Sequence, residues 1–198
     1  MNNIANTSHT FGVRQITVIG VLSAVSVVLG LTGYGFIPLP IAKATIMHIP
    51  VIVGAIIEGP VVGLMIGLIF GVFSIIQNIT TPSLLSFAFI NPLVSVLPRA
   101  MIGLVSYYSY RHFRFLKFES LKIGVSAVLG TLTNTFGVLT MIYILYAARF
   151  AEARNIEPGT AGKVIYGIAL TNGLPEAVIA VLITVPVVLA VKKLNKAK

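Results

Sequence analysis

The sequence has no cysteine and very few charged residues, and both shortages narrow the class of protein. Without cysteine, the chain can form no disulfide, no thiolate metal site and no cysteine nucleophile. Only 10% of the 198 residues are charged and 57% are hydrophobic, whereas an ordinary soluble domain has about 25% and about 45–50%. So little charge cannot cover a water-facing surface. The composition therefore indicates an integral membrane protein and excludes a soluble domain or a disordered chain.

Sequence signatures of catalysis are also missing. The chain has no G-x-S-x-G segment, no HExxH segment, no paired carboxylates and no Walker motif. Its three histidines, His9, His48 and His112, lie at separate depths and cannot together build a metal site. We therefore expect that the chain is not an enzyme, holds no metal or cofactor and has no nucleotide-binding domain of its own.

The net charge of +9 would suggest a nucleic-acid partner in a soluble protein. Here the basic residues cluster at the edges of apolar stretches, where they set the orientation of a chain in the lipid bilayer. Nine Lys and Arg residues lie on the side of the two termini, and four lie on the other side: Lys43, Arg149, Arg154 and Lys163. This asymmetry predicts that both termini are cytoplasmic, and we expect no nucleic-acid partner.

The spacing of charges and turn signals predicts six transmembrane helices. Glu58-Gly59-Pro60 and the polar segment 77–83 interrupt the long apolar windows. The predicted spans lie near 14–32, 44–58, 60–78, 87–110, 121–148 and 163–191. At about 20 residues per span, they leave no room for a soluble domain of useful size. Residues 1–198 are therefore expected to form a single all-α transmembrane domain.

Arg99 lies well inside the fourth predicted span, and Glu176 lies well inside the sixth. Such residues cost at least ~2.5 kcal/mol each at membrane depth, so they face the bundle interior. The two could form a buried ion pair. Such a pair either fixes the helix register or frees Arg99 to bind a substrate anion when it rearranges.

Further polar residues fall at comparable depth: His48, Asn78, Asn91, Asn134 and Asn172. A single Asn in a span commonly serves only to hydrogen-bond neighbouring helices. Polar groups converging from several helices instead predict an outward-facing pocket with an apolar lining and a few oriented polar groups. Both interpretations remain open for each residue.

Small side chains mark two helices. Gly63, Gly67 and Gly71 recur at every fourth position of the third helix, and we expect them to pack inside the bundle. The first helix carries Gly20, Ser23 and Ala24. A face of small residues on the outside of the bundle would suit a membrane partner.

Several segments together resemble a known family, the substrate-binding S components of energy-coupling factor (ECF) vitamin transporters. They are the Gly- and Pro-rich loop 33–40, the segments 43–50, 58–60 and 130–135, and the pairs Asn91-Pro92 and Pro98-Arg99. The resemblance extends from about Arg14 to Lys193. Within the family, the chain is most similar to the pantothenate S components.

The resemblance implies a function and partners. An S component binds a vitamin from outside, docks on the membrane coupling subunit EcfT, which carries two cytoplasmic ATPases, and reorients in the bacterial plasma membrane to deliver the vitamin. The implied pocket residues are the seven polar and ionisable residues named above. The implied lid is the loop 33–43 with Tyr34, Phe36, Pro38 and Lys43, and the implied docking residues are Gly20, Ser23 and Ala24.

One feature departs from the family pattern. The docking motif of the first helix is usually Ala-xxx-Ala, but here Ala24 is followed four residues later by Val28 and preceded four residues earlier by Gly20. Two alternatives to a pantothenate S component also remain. The substrate could be hydroxymethylpyrimidine, pyridoxine or another vitamin, or the chain could be a standalone secondary transporter coupled to protons through Glu176 and His48.

Overall fold

The computed structural model describes residues 12–38 and 43–196. Within these residues the chain is helical apart from one short hairpin. The helices are α1 (Val13–Thr32), α2 (Ile49–Glu58), α3 (Pro60–Thr80), α4 (Ser86–Phe89), α5 (Pro92–Ser95), α6 (Leu97–His112), α7 (Glu119–Arg154) and α8 (Ala161–Lys196). The strands are β1 (Phe36–Pro38) and β2 (Lys43–Thr45). Four helices, α1, α3, α7 and α8, are long and apolar enough to cross a membrane.

The short helix α2 lies at the centre of the bundle. Its residues from Ile49 to Ile56 are all buried, and α1, α3, α6, α7 and α8 all pack against it. A helix that is apolar on every side is stable only when other elements surround it. The central position of α2 thus follows from the absence of polar residues before Glu58.

The second predicted span is wrong over residues 44–48. These residues form β2 and a turn, and α2 begins only at Ile49. β2 pairs antiparallel with β1, so that Phe36 lies opposite Thr45. Pro50 has no N–H and fits the first turn of a helix, which explains why α2 starts there and not a turn earlier.

The fourth predicted span, 87–110, is also wrong as a single helix, because α4, α5 and α6 replace it. The break follows from Asn91-Pro92, since a residue before proline is disfavoured in helical conformation. Asn91 is extended, and its Oδ1 accepts a hydrogen bond of 2.9 Å from the N–H of Leu93 to cap α5. Two short helices, α4 and α5, thus precede α6 in place of one continuous helix.

The glycine strip of α3 lies against α5 and α6. A Cβ on Gly63 would meet the backbone of Gly103 at 3.0 Å, and a Cβ on Gly71 would meet the Cα of Val96 at 2.7 Å. A Cβ on Gly67 would meet the carbonyl of Arg99. The expectation that this strip packs within the bundle is confirmed.

At the end of the bundle opposite the hairpin, a polar cluster joins three helices. Glu119 at the start of α7 accepts hydrogen bonds from Lys192 Nζ in α8 (2.6 Å), from Lys122 Nζ (3.1 Å) and from the hydroxyl of Tyr110 in α6. At the same end, Arg14 Nη2 of α1 lies 2.6 Å from Glu58 Oε1 of α2. These ion pairs bring Arg14, Lys122 and Lys192 to the same end of the molecule.

Candidate functional site

A cavity of about 440 Å³ lies under the hairpin, between α3, α6 and α7. Its volume falls in the range usual for small-molecule sites. The lining residues are Phe36, Thr45, Met47, Phe70, Ser74, Gln77, Asn78, Thr81, Ser83, Phe89, Arg99 and Asn134. Most of the exposed wall of the cavity is apolar, and the lining also includes one cation and seven side chains that carry an amide or a hydroxyl group.

Arg99 occupies this cavity between two aromatic rings. Its guanidinium carbon lies 5.7 Å from the ring centre of Phe70 and 5.5 Å from that of Phe89. Nη1 donates a hydrogen bond of 2.7 Å to the carbonyl oxygen of Val94. In a regular helix that carbonyl would accept from residue 98, but Pro98 has no N–H. The proline thus leaves a carbonyl free to orient Arg99.

Two buried polar atoms of this cavity have no hydrogen-bond partner in the part of the chain that the structure describes. They are Nε of Arg99 and Oδ1 of Asn134, and each residue is only 7% exposed. A buried donor or acceptor without a partner costs about 1–3 kcal/mol, and more when it is charged. A ligand that accepts from Arg99 and donates to Asn134 would remove both costs.

Asn78 lines the cavity, but other contacts already satisfy its amide. Its Nδ2 donates to the carbonyl oxygen of Ser74 (2.8 Å), and its Oδ1 accepts from the hydroxyl of Ser86 (2.8 Å). Asn78 therefore shapes the end of α3 and the turn toward α4, and leaves fewer atoms for a ligand than Asn134 does.

The predicted ion pair between Arg99 and Glu176 is wrong. Glu176 instead accepts hydrogen bonds from the N–H of Thr45 at 2.8 Å and from the hydroxyl of Thr135 at 2.6 Å. None of the ion pairs among the described residues includes Arg99. The guanidinium thus stays free of protein carboxylates because Glu176 is turned toward the hairpin.

Three other predicted pocket residues lie outside the cavity lining. His48 is fully buried, and its Nε2 shares a hydrogen bond of 2.9 Å with the hydroxyl of Thr131. Asn91 caps α5, and its Nδ2 donates to the hydroxyl of Tyr146 at 2.9 Å. Asn172 is half-buried on α8, and its Oδ1 has no hydrogen-bond partner in the described part of the chain. The structure therefore brings together Asn78, Arg99 and Asn134 of the seven predicted residues.

The predicted lid is only partly described. Phe36 lines the cavity, whereas Tyr34 is 80% exposed at the turn before β1. Pro38 and Lys43 belong to the two paired strands. Residues 39–42 of the predicted lid lie outside the described residues.

The predicted docking residues divide between two sides of α1. Gly20 and Ala24 are exposed, and a Cβ on Gly20 would meet nothing within 4 Å. Ser23 is 5% exposed and faces the bundle, so its assignment to the free face is wrong. Gly20 and Ala24 are four residues apart and share a helix face, whereas Ser23 is the direct neighbour of Ala24 and lies about 100° away around the helix, which explains the division.

The helical repeat could have revealed cavity residues that the sequence analysis missed. Phe70, Ser74 and Gln77 are spaced by four and three residues, so they share one face of α3 and lie beside the predicted Asn78. Thr81, which caps the end of α3, is a further lining residue that the sequence analysis missed. Among the described residues, no group of three His, Asp or Glu side chains is placed to hold a metal ion.

Comparison with known proteins decides the family. Residues 14–188 match the family described as "ECF transporter, substrate-specific component". The chain belongs to this family of S components. The match covers α1 to α8 and the whole cavity, and it makes this S component part of a transport system.

Two curated relatives carry names of transported substrates. This S component is 31% identical over 170 residues to a "Pantothenic acid transporter PanT" of Lactococcus lactis subsp. cremoris, an alignment that covers 79% of this chain and 81% of the relative. It is 27% identical over 157 residues to a "Pantothenate transporter PanT" of Leuconostoc mesenteroides subsp. mesenteroides, with 75% and 77% covered.

Proposed function

We propose that this S component captures pantothenate from outside the cell, as the vitamin-binding subunit of an ATP-driven ECF importer. The observation that carries the proposal is the guanidinium of Arg99, which makes no ion pair among the described residues and lies in a cavity whose walls are mostly apolar. The names of both relatives point to the same vitamin.

The chemistry of pantothenate matches the free groups of the cavity. Its carboxylate can accept charge-assisted hydrogen bonds from Arg99. Its hydroxyls and its amide N–H can donate to Oδ1 of Asn134, which has no partner among the described residues. The pantoyl methyl groups are apolar and suit Phe36, Met47 and Phe70. We propose Arg99 and Asn134 as direct contacts of the vitamin and Asn78 as part of the wall.

We further propose that the chain crosses the cell membrane six times. The helices α1, α3, α7 and α8 are four of the spans, and α2 and the α4–α6 segment are the other two. Both termini then lie in the cytoplasm with the ion-paired end of the bundle, and the hairpin and cavity open outward. Residues 1–198 form one transmembrane domain in this proposal.

The partners follow from the family. We propose that the exposed face of α1 with Gly20 and Ala24 docks on the membrane subunit EcfT, which is joined to two cytoplasmic ATPases. Small residues allow a partner helix to approach closely. This chain itself supplies binding and no catalysis in the proposal.

The test compares pantothenate with pantothenol, its neutral analogue, on purified protein by equilibrium binding. We expect Arg99→Gln to raise the Kd of pantothenate at least ~30-fold, since losing one partner of a buried charged contact costs about 2 kcal/mol or more. Pantothenol binding should hardly change. The matched control is Arg149→Gln, because Arg149 also lies over an aromatic ring, that of Phe87, but outside the cavity.

Two results would contradict the proposal. Tighter binding of pyridoxine or hydroxymethylpyrimidine than of pantothenate would assign another vitamin to the cavity. Pantothenate uptake that persists in cells without the coupling subunit and its ATPases would favour a standalone secondary transporter.

A further inference from the structure

Glu176 is a buried carboxylate that forms no ion pair with any residue the structure describes. Its side chain is on α8, and the residue is 2% exposed. Among the described residues, its partners are the N–H of Thr45 on Oε1 and the hydroxyl of Thr135 on Oε2. Burial of a charge is costly unless strong hydrogen bonds compensate it. The two hydrogen bonds, of 2.8 and 2.6 Å, therefore compensate the cost of burying this carboxylate.

These two bonds join three separate parts of the cavity wall. Thr45 is the last residue of β2, it lies opposite Phe36 in the hairpin, and both line the cavity. Thr135 follows Asn134 on α7, and Asn134 also lines the cavity. Glu176 itself is not a lining residue. One carboxylate thus fixes the hairpin and Asn134 relative to each other from behind the wall.

The hairpin needs such an anchor because it has little stability of its own. An isolated two-stranded hairpin is marginal in water, and each strand here has three residues. The N–H of Thr45 is on the outer edge of β2, where the hairpin provides no partner for it. Glu176 therefore satisfies the edge of β2 and attaches it to α8.

We propose that Glu176 is a positioning residue that latches the hairpin over the cavity and thereby controls how fast the ligand enters and leaves. The proposal rests on the proposed function in one respect, namely that the cavity is the vitamin site. Opening the hairpin requires the bond from Thr45 to Glu176 to break, while the contacts of Arg99 and Asn134 with the ligand stay intact. A latch of this kind changes both rate constants, whereas a direct ligand contact changes the dissociation rate constant alone.

The first test needs no ligand. Hydrogen exchange of the peptide that contains residues 43–47 is measured by mass spectrometry in the ligand-free, full-length protein. We expect Glu176→Ala to speed exchange at Thr45 about tenfold or more, because the N–H of Thr45 loses its acceptor. Glu176→Gln should exchange like the wild type, because a Gln side chain can accept from the N–H of Thr45 and donate to Thr135. Wild-type exchange in Glu176→Gln would show that the hydrogen bonds of residue 176 hold the hairpin and that its negative charge is not required.

Thr135→Val gives a milder variant that keeps the side-chain shape and removes only the bond from α7. We expect an exchange rate at Thr45 between those of the wild type and Glu176→Ala. The matched control is Thr184→Val, the same exchange at a fully buried Thr on α8 whose hydroxyl has no partner among the described residues. Thr184→Val should leave exchange at Thr45 unchanged.

The second test measures the kinetics of pantothenate binding by stopped flow. We expect Glu176→Ala and, to a smaller extent, Thr135→Val to raise both the association and the dissociation rate constants. Unchanged exchange at Thr45 in both variants would overturn the latch, and so would a faster dissociation with an unchanged association rate constant. If Glu176→Ala does not fold, Thr135→Val decides. If the wild type binds no pantothenate, the proposed function fails while the exchange experiment still tests the latch.

Discussion

Arg99 shows how a backbone feature can prepare a side chain for a ligand. The missing N–H of Pro98 leaves the carbonyl oxygen of Val94 to accept from Arg99, and two aromatic rings hold the guanidinium plane. One donor is thereby fixed, and Nε remains buried without a partner in the described chain. Because the protein orders this side chain in advance, little conformational entropy remains to be lost when a ligand binds.

Pro98→Ala tests this arrangement without changing the charge of the cavity. The new N–H competes with Arg99 for the carbonyl oxygen of Val94, so the guanidinium loses part of its orientation. We expect the Kd of pantothenate to rise about threefold to tenfold, which corresponds to about 1 kcal/mol. This Kd is measured by equilibrium binding of labelled pantothenate to the purified variant. A Kd equal to that of the wild type would mean that the bond to Val94 does not orient Arg99.

The sequence predicted the residues that line the cavity only in part. Arg99, Asn78 and Asn134 were found because polar residues are rare at membrane depth, and they do line the cavity. The contacts of Glu176 could not be predicted, because its side chain accepts a hydrogen bond from the N–H of Thr45 in the hairpin. Thr45 lies 131 residues earlier in the chain, and no local pattern in the sequence connects the two residues. Asn91 was mistaken for a pocket residue because a helix cap and a ligand contact use the same amide.

At the scale of elements, the close contact of α3 and α6 depends on glycine in both helices. A Cβ on Gly103 would meet the backbone of Gly63 and Leu64, and a backbone cannot move aside as a side chain can. The contact also sets the position of Arg99, one turn before Gly103 on α6 and against Gly67 of α3.

We therefore expect Gly103→Ala to destabilise the protein by about 1–3 kcal/mol, the usual cost of forcing extra atoms into a packed core. A thermal unfolding experiment in detergent should show a lower Tm. The control is Gly167→Ala on α8, where a Cβ would meet nothing within 4 Å. It should keep or raise the Tm, since Ala is favoured over Gly inside a helix. Equal effects of both variants would contradict the role of the contact.

The outer face of α1 carries a second prediction at this scale. Gly20→Leu places a large side chain into open space on that face and should prevent close approach of a partner helix. We expect unchanged pantothenate binding by the isolated subunit and a loss of most uptake in cells that contain the partner subunits. Gly167→Leu, at another open glycine, should retain uptake. Loss of binding in Gly20→Leu would instead indicate a role inside the bundle.

The predicted ends of the helices agree with the structure where hydrophobicity alone determines where a helix begins and ends. They disagree where proline or a side-chain cap determines it. Spans predicted near 14–32 and 60–78 correspond to α1 and α3 within two residues at each end. The errors fall at Pro50 and at Asn91-Pro92, where an apolar composition conceals a strand or a break. Hydropathy reports burial in lipid or protein and does not distinguish a helix from an irregular segment that protein covers.

At the scale of the whole molecule, the absence of cysteine makes the orientation in the membrane directly measurable. Single cysteines are introduced at two exposed positions, Ser120 near the start of α7 and Gly159 before α8. We expect a membrane-impermeant maleimide to label Gly159→Cys on intact cells. Ser120→Cys should react only after the membrane is opened. The reverse pattern would invert the proposed topology and place the cavity on the cytoplasmic side.

The buried side chains of Arg99 and Glu176 have an electrical consequence for the proposed transport cycle. Both belong to one bundle and move together, and their charges of opposite sign cancel. The empty site then carries no net charge, and a site with a bound carboxylate carries one negative charge. Moving one charge across the bilayer involves about 2.3 kcal/mol per 100 mV. In the proposed cycle, an inside-negative membrane potential therefore opposes delivery of the vitamin and does no work on the return of the empty subunit.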